Sequence, residues 1–167
     1  MATLEILHFP DPRLRTQAHA VTRFDSELAR LVEGMFAAMY AARGIGLAAT
    51  QVDVHQRVIV VDVSEERDDP VCLVNPEVVE AEGVQQTQEG CLSVPETFEN
   101  VERPAWIRVK AFRINGEAFE LEAEDLLATC IQHEIDHLEG ILFIDHLSSL
   151  KRARIRKRFD KNQRHAG

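Results

Sequence analysis

The sequence predicts an α+β fold with one domain, in which antiparallel strands surround a central helix that carries the motif HEIDH, together with an N-terminal helix and a C-terminal basic helix. Three observations lead to this prediction. They are β-branched runs of strand length, separate segments with apolar residues at helical spacing, and the lack of internal repeats or Gly/Ser/Pro-rich linkers. The 167 residues match the size of one domain, so residues 1–167 are predicted to form a single compact domain.

The composition argues against membrane and disulfide-rich proteins. Hydrophobic residues make up 45% and charged residues 28% of the chain, and no apolar run approaches the roughly 20 residues that a membrane span needs. The N-terminal stretch has neither a basic region before an apolar one nor an Ala-x-Ala cleavage pattern, so we expect a cytoplasmic protein. Three widely spaced cysteines favour reduced thiols or a metal ligand over a disulfide.

Charge is distributed unevenly along the chain. The net charge is -9, yet residues 151–167 carry eight cations against Asp160 alone. That segment is therefore +7 and the remainder is -16. We expect the acidic remainder to avoid DNA, whereas the basic segment favours contact with phosphate or an acidic surface. The eight cations are Lys151, Arg152, Arg154, Arg156, Lys157, Arg158, Lys161 and Arg164.

Periodicity predicts the first elements. Residues 25–42 are predicted to form an amphipathic helix that stops at Gly44, since Leu28, Leu31, Val32, Met35 and Met39 recur at helical spacing. Three β-branched segments are predicted as strands: 57–63, 71–80 and 106–113. Asn115-Gly116 is a type I′ turn signal, which would join the last of these strands to residues 118–122 in a hairpin.

Two further helices are predicted towards the C-terminus. Residues 125–138 begin with Asp125 as a capping residue, continue with apolar residues in helical rows, and end before Gly140. From Ser148 to the C-terminus, a basic helix is predicted with a thin apolar stripe. The stripe consists of Leu150, Ile155 and Phe159.

The segment His133-Glu134-Ile135-Asp136-His137 predicts a metal centre. Residues four apart on a helix lie on the same face, so both imidazoles can bind one ion. Glu134 follows the first of them and can reach a water on that ion, whose pKa the metal lowers toward ~7. The carboxylate can take the proton of that water and pass it to a departing nitrogen, which amide hydrolysis requires. The alternative is an amphipathic helix with two surface histidines.

A third ligand must come from elsewhere in the chain. The metzincin pattern would place a histidine where Phe143 stands, and the gluzincin pattern needs a glutamate, of which none follows Glu139. A cysteine thiolate is the remaining strong candidate. Cys130 lies one turn before the histidine pair on the same helix, and Cys72 lies in an apolar run that indicates inert burial. Cys91 has small, turn-forming neighbours and is therefore the predicted ligand.

The segment GIGLAATQ, residues 44–51, is the third candidate for function. It lacks the Gly-Lys-Ser/Thr of a phosphate loop, and by itself its two glycines favour a helix stop followed by a tight turn. Gln51 supports a functional interpretation, because its amide is a neutral donor that could stabilise an oxyanion.

Together, GIGLAATQ at 44–51, EGCLS at 89–93 and QHEIDHLEG at 132–140 closely resemble the three signature motifs of the bacterial peptide deformylases. Their order and spacing also match, and the resemblance extends to the N-terminal LHFPDPRLR stretch and the basic C-terminal segment.

This resemblance implies a hydrolase that removes the N-formyl group from the formylmethionine of newly made polypeptides and releases formate. It implies that Glu134 is the general base and then the acid, and that Gln51 and the backbone N–H of Leu92 hold the oxyanion. The cofactor implied is one Fe(II) ion, for which nickel, cobalt or zinc can substitute. Its ligands would be Cys91, His133, His137 and a water.

The resemblance also implies a substrate site and a supporting ion pair. An extended peptide would pair with the backbone near Gly44, Gly46 and Gly90. Glu89 and Arg103 would form an ion pair behind the metal ligands. The methionine side chain would enter a pocket in which Thr129 is a departure, because relatives often carry an aliphatic residue there. The pocket residues would be Ile45, Leu126, Thr129, Cys130 and His133.

Formylmethionyl nascent peptides are the implied partners, and the basic C-terminal helix implies contact with ribosomal RNA; no DNA and no membrane partner is expected. Two other functions are kept as alternatives. One is a metallopeptidase that cuts between residues, and the other is a non-catalytic, metal-stabilised protein that binds RNA or the ribosome.

Overall fold

A computed structural model describes residues 4–166, with side chains described for residues 4–162. The predicted α+β class is confirmed, with three helices and seven strands among these residues. The helices are α1 (Ser26–Ala41), α2 (Asp125–Leu138) and α3 (Ser149–Ala166). The strands are β1 (Gly46–Ala48), β2 (Val58–Val61), β3 (Val71–Glu82), β4 (Gln85–Cys91), β5 (Val94–Arg103), β6 (Trp106–Phe112) and β7 (Ala118–Glu124).

The strands form two antiparallel sheets. The larger sheet has the order β1-β2-β3-β6-β7, so β1 and β7 are its edges, and β4 pairs with β5 in a separate two-stranded sheet. Strands β1, β4 and β5 are not predicted by the sequence pattern. Their segments are rich in Gly, Gln, Glu and Thr, and they lack the β-branched apolar runs that identified the other strands.

Strand β2 of the larger sheet is buried on both faces, with α1 on one side and α2 on the other. Successive side chains of a strand point to opposite faces. Val58 and Val60 pack in the core with α1, whereas Ile59 and Val61 pack in the core with α2. All four residues of β2 are fully buried, which explains why its sequence is apolar throughout rather than alternating.

The predicted helix boundaries agree with the structure, with one correction at a cap. Asp25 caps α1, since its carboxylate accepts a hydrogen bond from the Leu28 backbone N–H at 3.1 Å. The prediction that Asp125 caps α2 is wrong. Asp125 adopts a left-handed conformation at φ 54°, and Glu124 occupies the cap position without a side-chain hydrogen bond.

The predicted β6–β7 hairpin is present, but the predicted turn type is wrong. The Gly116 N–H donates to the Arg113 carbonyl at 2.9 Å, and the Arg113 N–H donates to the Glu117 carbonyl at 2.8 Å. A type I′ turn needs positive φ at both central residues, and here only Gly116, at φ 88°, has it. The connection is therefore a three-residue loop with glycine in the left-handed position.

Helix α3 packs against the rest of the protein through two of the three residues of its predicted apolar stripe. Ile155 and Phe159 are buried, and the Phe159 ring meets Phe9 edge-on at 5.3 Å. Leu150 is 61% exposed, so its assignment to the buried stripe is wrong. It lies in the first turn of α3, before the helix reaches the core. No helix in the part of the chain that the structure describes has the length and apolarity needed to cross a bilayer.

Gly140 ends α2 and offers a stability test. Its φ is 76°, and an added Cβ would lie 2.6 Å from the backbone oxygen of Arg15. Gly116 provides a matched control because its φ is also positive, while its Cβ would meet only the Phe24 side chain at 3.5 Å. Both alanine variants incur left-handed strain of about 1–2 kcal/mol, and only Gly140→Ala must also displace backbone.

We therefore expect Gly140→Ala to lower the free energy of unfolding by at least about 1 kcal/mol more than Gly116→Ala does. Urea denaturation of the two variants measures this difference. Equal losses of stability would contradict the close contact between Gly140 and the Arg15 backbone.

Candidate active site

Helix α2 brings three polar side chains into the interior. His133, Glu134 and His137 are all buried, and the two imidazole ring centroids lie 5.1 Å apart. The i, i+4 spacing places the two rings one turn apart on one face, as the sequence predicts. Apolar residues on the rest of the helix, including Ile131 and Leu138, pack against the larger sheet and fix the position of that face.

The turn between β4 and β5 brings a cysteine to the same place. Cys91 ends β4 and pairs with Val94 at the start of β5, after an irregularity in the register that follows Glu89. Its sulfur lies 3.3 Å from Nε2 of His137. One donor atom from each of Cys91, His133 and His137 lies within 4.8 Å of the others, and this is the one such group among the described residues.

This group fits a bound metal ion. Metal–nitrogen bonds of about 2.1 Å and a metal–sulfur bond of about 2.3 Å, at tetrahedral angles, place the donors roughly 3.4–3.6 Å apart. Burial lowers the pKa of His137 well below its usual range, which leaves a neutral ring that can ligate. At His133, burial is outweighed by Glu134 and Cys91, which raise its pKa. The acidic groups around His133 therefore favour a positive charge beside its ring.

The other two cysteines have different surroundings. Burial raises the pKa of Cys72 to about 12 and raises that of Cys130 well above its usual range, so both remain protonated thiols. Cys130 donates to the Ile45 carbonyl at 3.5 Å. By contrast, the sulfur of Cys91 accepts a hydrogen bond from the Ser93 backbone N–H at 3.4 Å and faces the His137 ring.

A buried ion pair supports His133. Arg103 donates two hydrogen bonds to the Glu89 carboxylate, at 2.6 and 3.0 Å, and Glu89 accepts from Nδ1 of His133 at 2.9 Å. This bond leaves Nε2 of His133 free to face the metal position. Burial acts to raise the pKa of Glu89, but the hydrogen bonds from His133 and Arg103 hold it below its usual range. The predicted pairing of Glu89 with Arg103 is present.

Glu134 has the opposite environment. Burial raises its pKa to about 7, and its Oε1 has no hydrogen-bond partner among the described residues. A carboxyl group with a pKa near neutrality can both accept and donate a proton under physiological conditions. Its other oxygen, Oε2, lies against Gly46, where the Cβ of any larger residue would collide with it.

Gln51 is buried beside Cys91 and Ser93. Its Oε1 accepts from the Ala48 N–H at 2.8 Å, which fixes the amide so that Nε2 faces Ser93 and Cys91. Nε2 donates to the Ser93 hydroxyl at 2.9 Å and lies 3.6 Å from the Cys91 sulfur. The amide nitrogen thus donates to both the Ser93 hydroxyl and the Cys91 sulfur, which places it beside the group of possible metal ligands.

These residues open onto a cleft of about 460 Å³. Glu134, His133 and Gln51 line it, and so do all the residues that sequence analysis placed at the substrate. Those residues are Gly44, Ile45, Gly46, Gly90, Leu126, Thr129 and Cys130, and Leu92, whose backbone N–H is predicted to hold the oxyanion, lines the cleft as well. His137 contributes no surface to the cleft, because it lies fully buried behind the other donors.

Several contributors were not given roles from the sequence. Asp136 accepts a hydrogen bond from Arg103 at 3.0 Å and so joins the ion pair behind His133. Ser93 contacts both Gln51 and Cys91, and Phe98, 63% exposed, forms part of the cleft wall. Asp136 and Ser93 lie inside motifs already identified, so their position was a usable signal. Phe98 had none, because its strand was not predicted.

The family model, the curated relatives and the solved structures that match this chain are all peptide deformylases. The family model described as polypeptide deformylase matches residues 3–153. The chain is 57% identical over 165 residues to a peptide deformylase of Cellvibrio japonicus, with 98% of each chain covered. It is 55% identical over 168 residues to one of Azotobacter vinelandii, with 100% of both covered.

Solved structures agree. A peptide deformylase from Legionella pneumophila superposes with a TM-score of 0.92 at 45% identity and covers 99% of this chain and 98% of its own. One from Ehrlichia chaffeensis in complex with actinonin gives a TM-score of 0.93 at 39% identity, with coverage of 98% and 99%. The chain therefore belongs to the polypeptide deformylase family, the metal-dependent hydrolases that remove the N-formyl group from peptides.

Proposed function

We propose that this chain hydrolyses the formyl group from the N-terminal formylmethionine of newly synthesised polypeptides, releasing formate, and that residues 1–167 act as one catalytic unit. The observation that carries the proposal is the group of Cys91, His133 and His137 beside the unpaired carboxyl of Glu134, at the base of a cleft. Hydrolysis of a formamide needs an electrophilic centre, a proton acceptor for water and a donor for the oxyanion.

Cys91, His133 and His137 are proposed to hold one Fe(II) ion. When bound, the ion supplies a Lewis acid that polarises the formyl oxygen and lowers the pKa of water. A donor set of one thiolate and two imidazoles suits iron, nickel, cobalt and zinc. The choice of iron rests on the family resemblance.

Glu134 is proposed to move the proton. Its unpaired Oε1 accepts a proton as water attacks the formyl carbon, and the carboxyl then donates it to the departing nitrogen. The pKa of about 7 suits both acts. Nε2 of Gln51 and the N–H of Leu92 are proposed to donate to the oxyanion, with Gln51 oriented by its bond to the Ala48 N–H.

The substrate is proposed to lie extended in the cleft. Its backbone would pair near Gly44 and Gly46 beside the edge strand β1, and near Gly90 on β4. The methionine side chain would enter between the apolar and small residues of the wall, which include Ile45, Leu126 and Cys130.

Replacement of Glu134 by glutamine tests its role as the proton carrier. Glutamine keeps the shape but cannot take a proton, so we expect formate release from formyl-Met-Ala-Ser to fall by about 10²–10⁴-fold while metal content is unchanged. Glu124→Gln, which changes an exposed glutamate at the start of the same helix, is the control and should keep full activity. An active Glu134→Gln protein would contradict the assignment.

The same assay separates the two alternatives. A metallopeptidase would cut internal peptide bonds and release no formate. A non-catalytic metal-stabilised binding protein would show no hydrolysis with either kind of peptide, whatever stands at position 134.

Metal analysis tests the ligand set. We expect Cys91→Ser to lose most of its metal after anaerobic purification, because serine replaces the thiolate with a hydroxyl that stays protonated. Cys130→Ser should retain the metal, since its thiol faces the Ile45 carbonyl. Element analysis by mass spectrometry gives the metal content per chain. If Cys130→Ser lost the metal and Cys91→Ser kept it, the assigned ligands would be wrong.

Helix α3 is proposed to contact the ribosome. Its exposed cations include Arg152, Arg154, Lys157 and Lys161, for which no acidic partner is found among the described side chains. Arg164, the remaining cation of this segment, lies outside residues 4–162, for which side chains are described. Phosphate groups of ribosomal RNA are the complementary charge, and such binding weakens steeply with salt.

We expect the double variant Arg152→Glu, Lys157→Glu to lower affinity for purified ribosomes about tenfold or more at low salt. The double variant Arg23→Glu, Arg30→Glu makes the same change in net charge away from α3 and should bind as the unmodified chain does. Co-sedimentation across a salt series measures both. Equal affinity of the two double variants would show that α3 is not the contact.

A further inference from the structure

The wall of the cleft contains one hydroxyl in a buried, mainly apolar setting. Thr129 lies on α2, is 3% exposed and lines the cleft together with Ile45, Leu126 and Cys130. A buried hydroxyl normally has its proton donated to an acceptor, because an unpaired polar group is costly away from water.

The hydroxyl oxygen of Thr129 is engaged as an acceptor. Nε2 of Gln85, at the start of β4, lies 2.8 Å from Oγ1 of Thr129 and 2.8 Å from the carbonyl oxygen of Asp125. A carbonyl can only accept, so the group between these two oxygens must be the amide NH₂ rather than the amide oxygen. Gln85 therefore donates to Thr129, and the threonine proton is left for another acceptor.

No acceptor for that proton is found among the side chains and backbone that the structure describes. Thr97 provides a contrast, since its hydroxyl donates to the Pro95 carbonyl at 3.2 Å. Thr129 thus has an unused donor, and the residue lines the wall where, under the proposed function, the first side chain of the substrate lies. That donor would complement a side chain which carries a strong acceptor at its end.

We propose that this chain also deformylates peptides whose first residue is methionine sulfoxide, with the Thr129 hydroxyl donating to the sulfoxide oxygen. This inference rests on the proposed function of the cleft. The reaction is the same hydrolysis: water adds to the formyl carbon, the C–N bond breaks, formate leaves and the nitrogen gains a proton. The sulfoxide itself is unchanged. Its oxygen is polar, whereas the sulfur of methionine is a weak acceptor and norleucine has none.

The test compares three peptides that differ only in the first side chain: formylmethionine, formylnorleucine and formylmethionine sulfoxide, the last as separate epimers. We expect the unmodified protein to release formate from at least one sulfoxide epimer. Thr129→Val keeps the shape and removes the donor, so kcat/KM for that epimer, relative to norleucine, should fall about tenfold. Thr129→Ser should largely restore the ratio.

Gln85→Glu tests the same hydrogen bond without changing Thr129. A carboxylate only accepts, so it would take the threonine proton and remove the donor from the cleft. The sulfoxide-to-norleucine ratio should then fall as it does in Thr129→Val. Thr87→Val removes another hydroxyl that lines the cleft and should leave the ratio unchanged.

The outcomes separate the two proposals. Absence of formate from the formylmethionine peptide would overturn the proposed function itself. Formate from formylmethionine but from neither sulfoxide epimer would overturn only the present inference. The inference would also be overturned if the ratio of kcat/KM for the sulfoxide peptide to kcat/KM for the norleucine peptide were equal in Thr129→Val and in the unmodified protein. Loss of a threonine with a purely structural role would lower kcat/KM for all three peptides together and leave this ratio unchanged.

Discussion

The buried ion pair between Glu89 and Arg103 is the interaction on which the site depends, because it joins three elements. Glu89 lies on β4, Arg103 ends β5, and both connect to α2 through His133 and Asp136. Loss of one partner would leave an uncompensated charge in the interior, which costs about 3–5 kcal/mol in comparable cases. The pair therefore fixes the small sheet, and with it Cys91, against the helix that carries the two histidines.

The same pair explains why two neighbouring carboxylates behave differently. Glu89 receives hydrogen bonds from Arg103 and His133, which hold its pKa below its usual range despite burial. Glu134 has no such donors, and burial raises its pKa to about 7. A divergence of this kind between nearby acids separates a structural charge from a group able to exchange protons. The charge of Glu89 is therefore compensated, whereas Glu134 keeps a carboxyl oxygen without a partner among the described residues.

Local sequence signals predicted the helices well and the assembly of the site less well. The spacing of His133 and His137 is a property of one helix, so it could be read directly from the chain. The approach of Cys91 to His137 depends on β4 and β5, whose polar residues gave no strand signal. Cys91 was selected by elimination and by family resemblance. The hairpin at Gly116 was predicted, but the turn type was wrong, since the choice depends on backbone angles at Asn115.

The position of the cleft follows from the division of the strands into two sheets. The edge strand β1 belongs to the larger sheet and β4 to the smaller one, and the segments that contain Gly44, Gly46 and Gly90 all line the space between them. An edge strand has unpaired backbone groups, and β1 has only three residues, which limits pairing with other chains. A short edge strand beside the turn that carries Cys91 could pair with one extended peptide as an added strand.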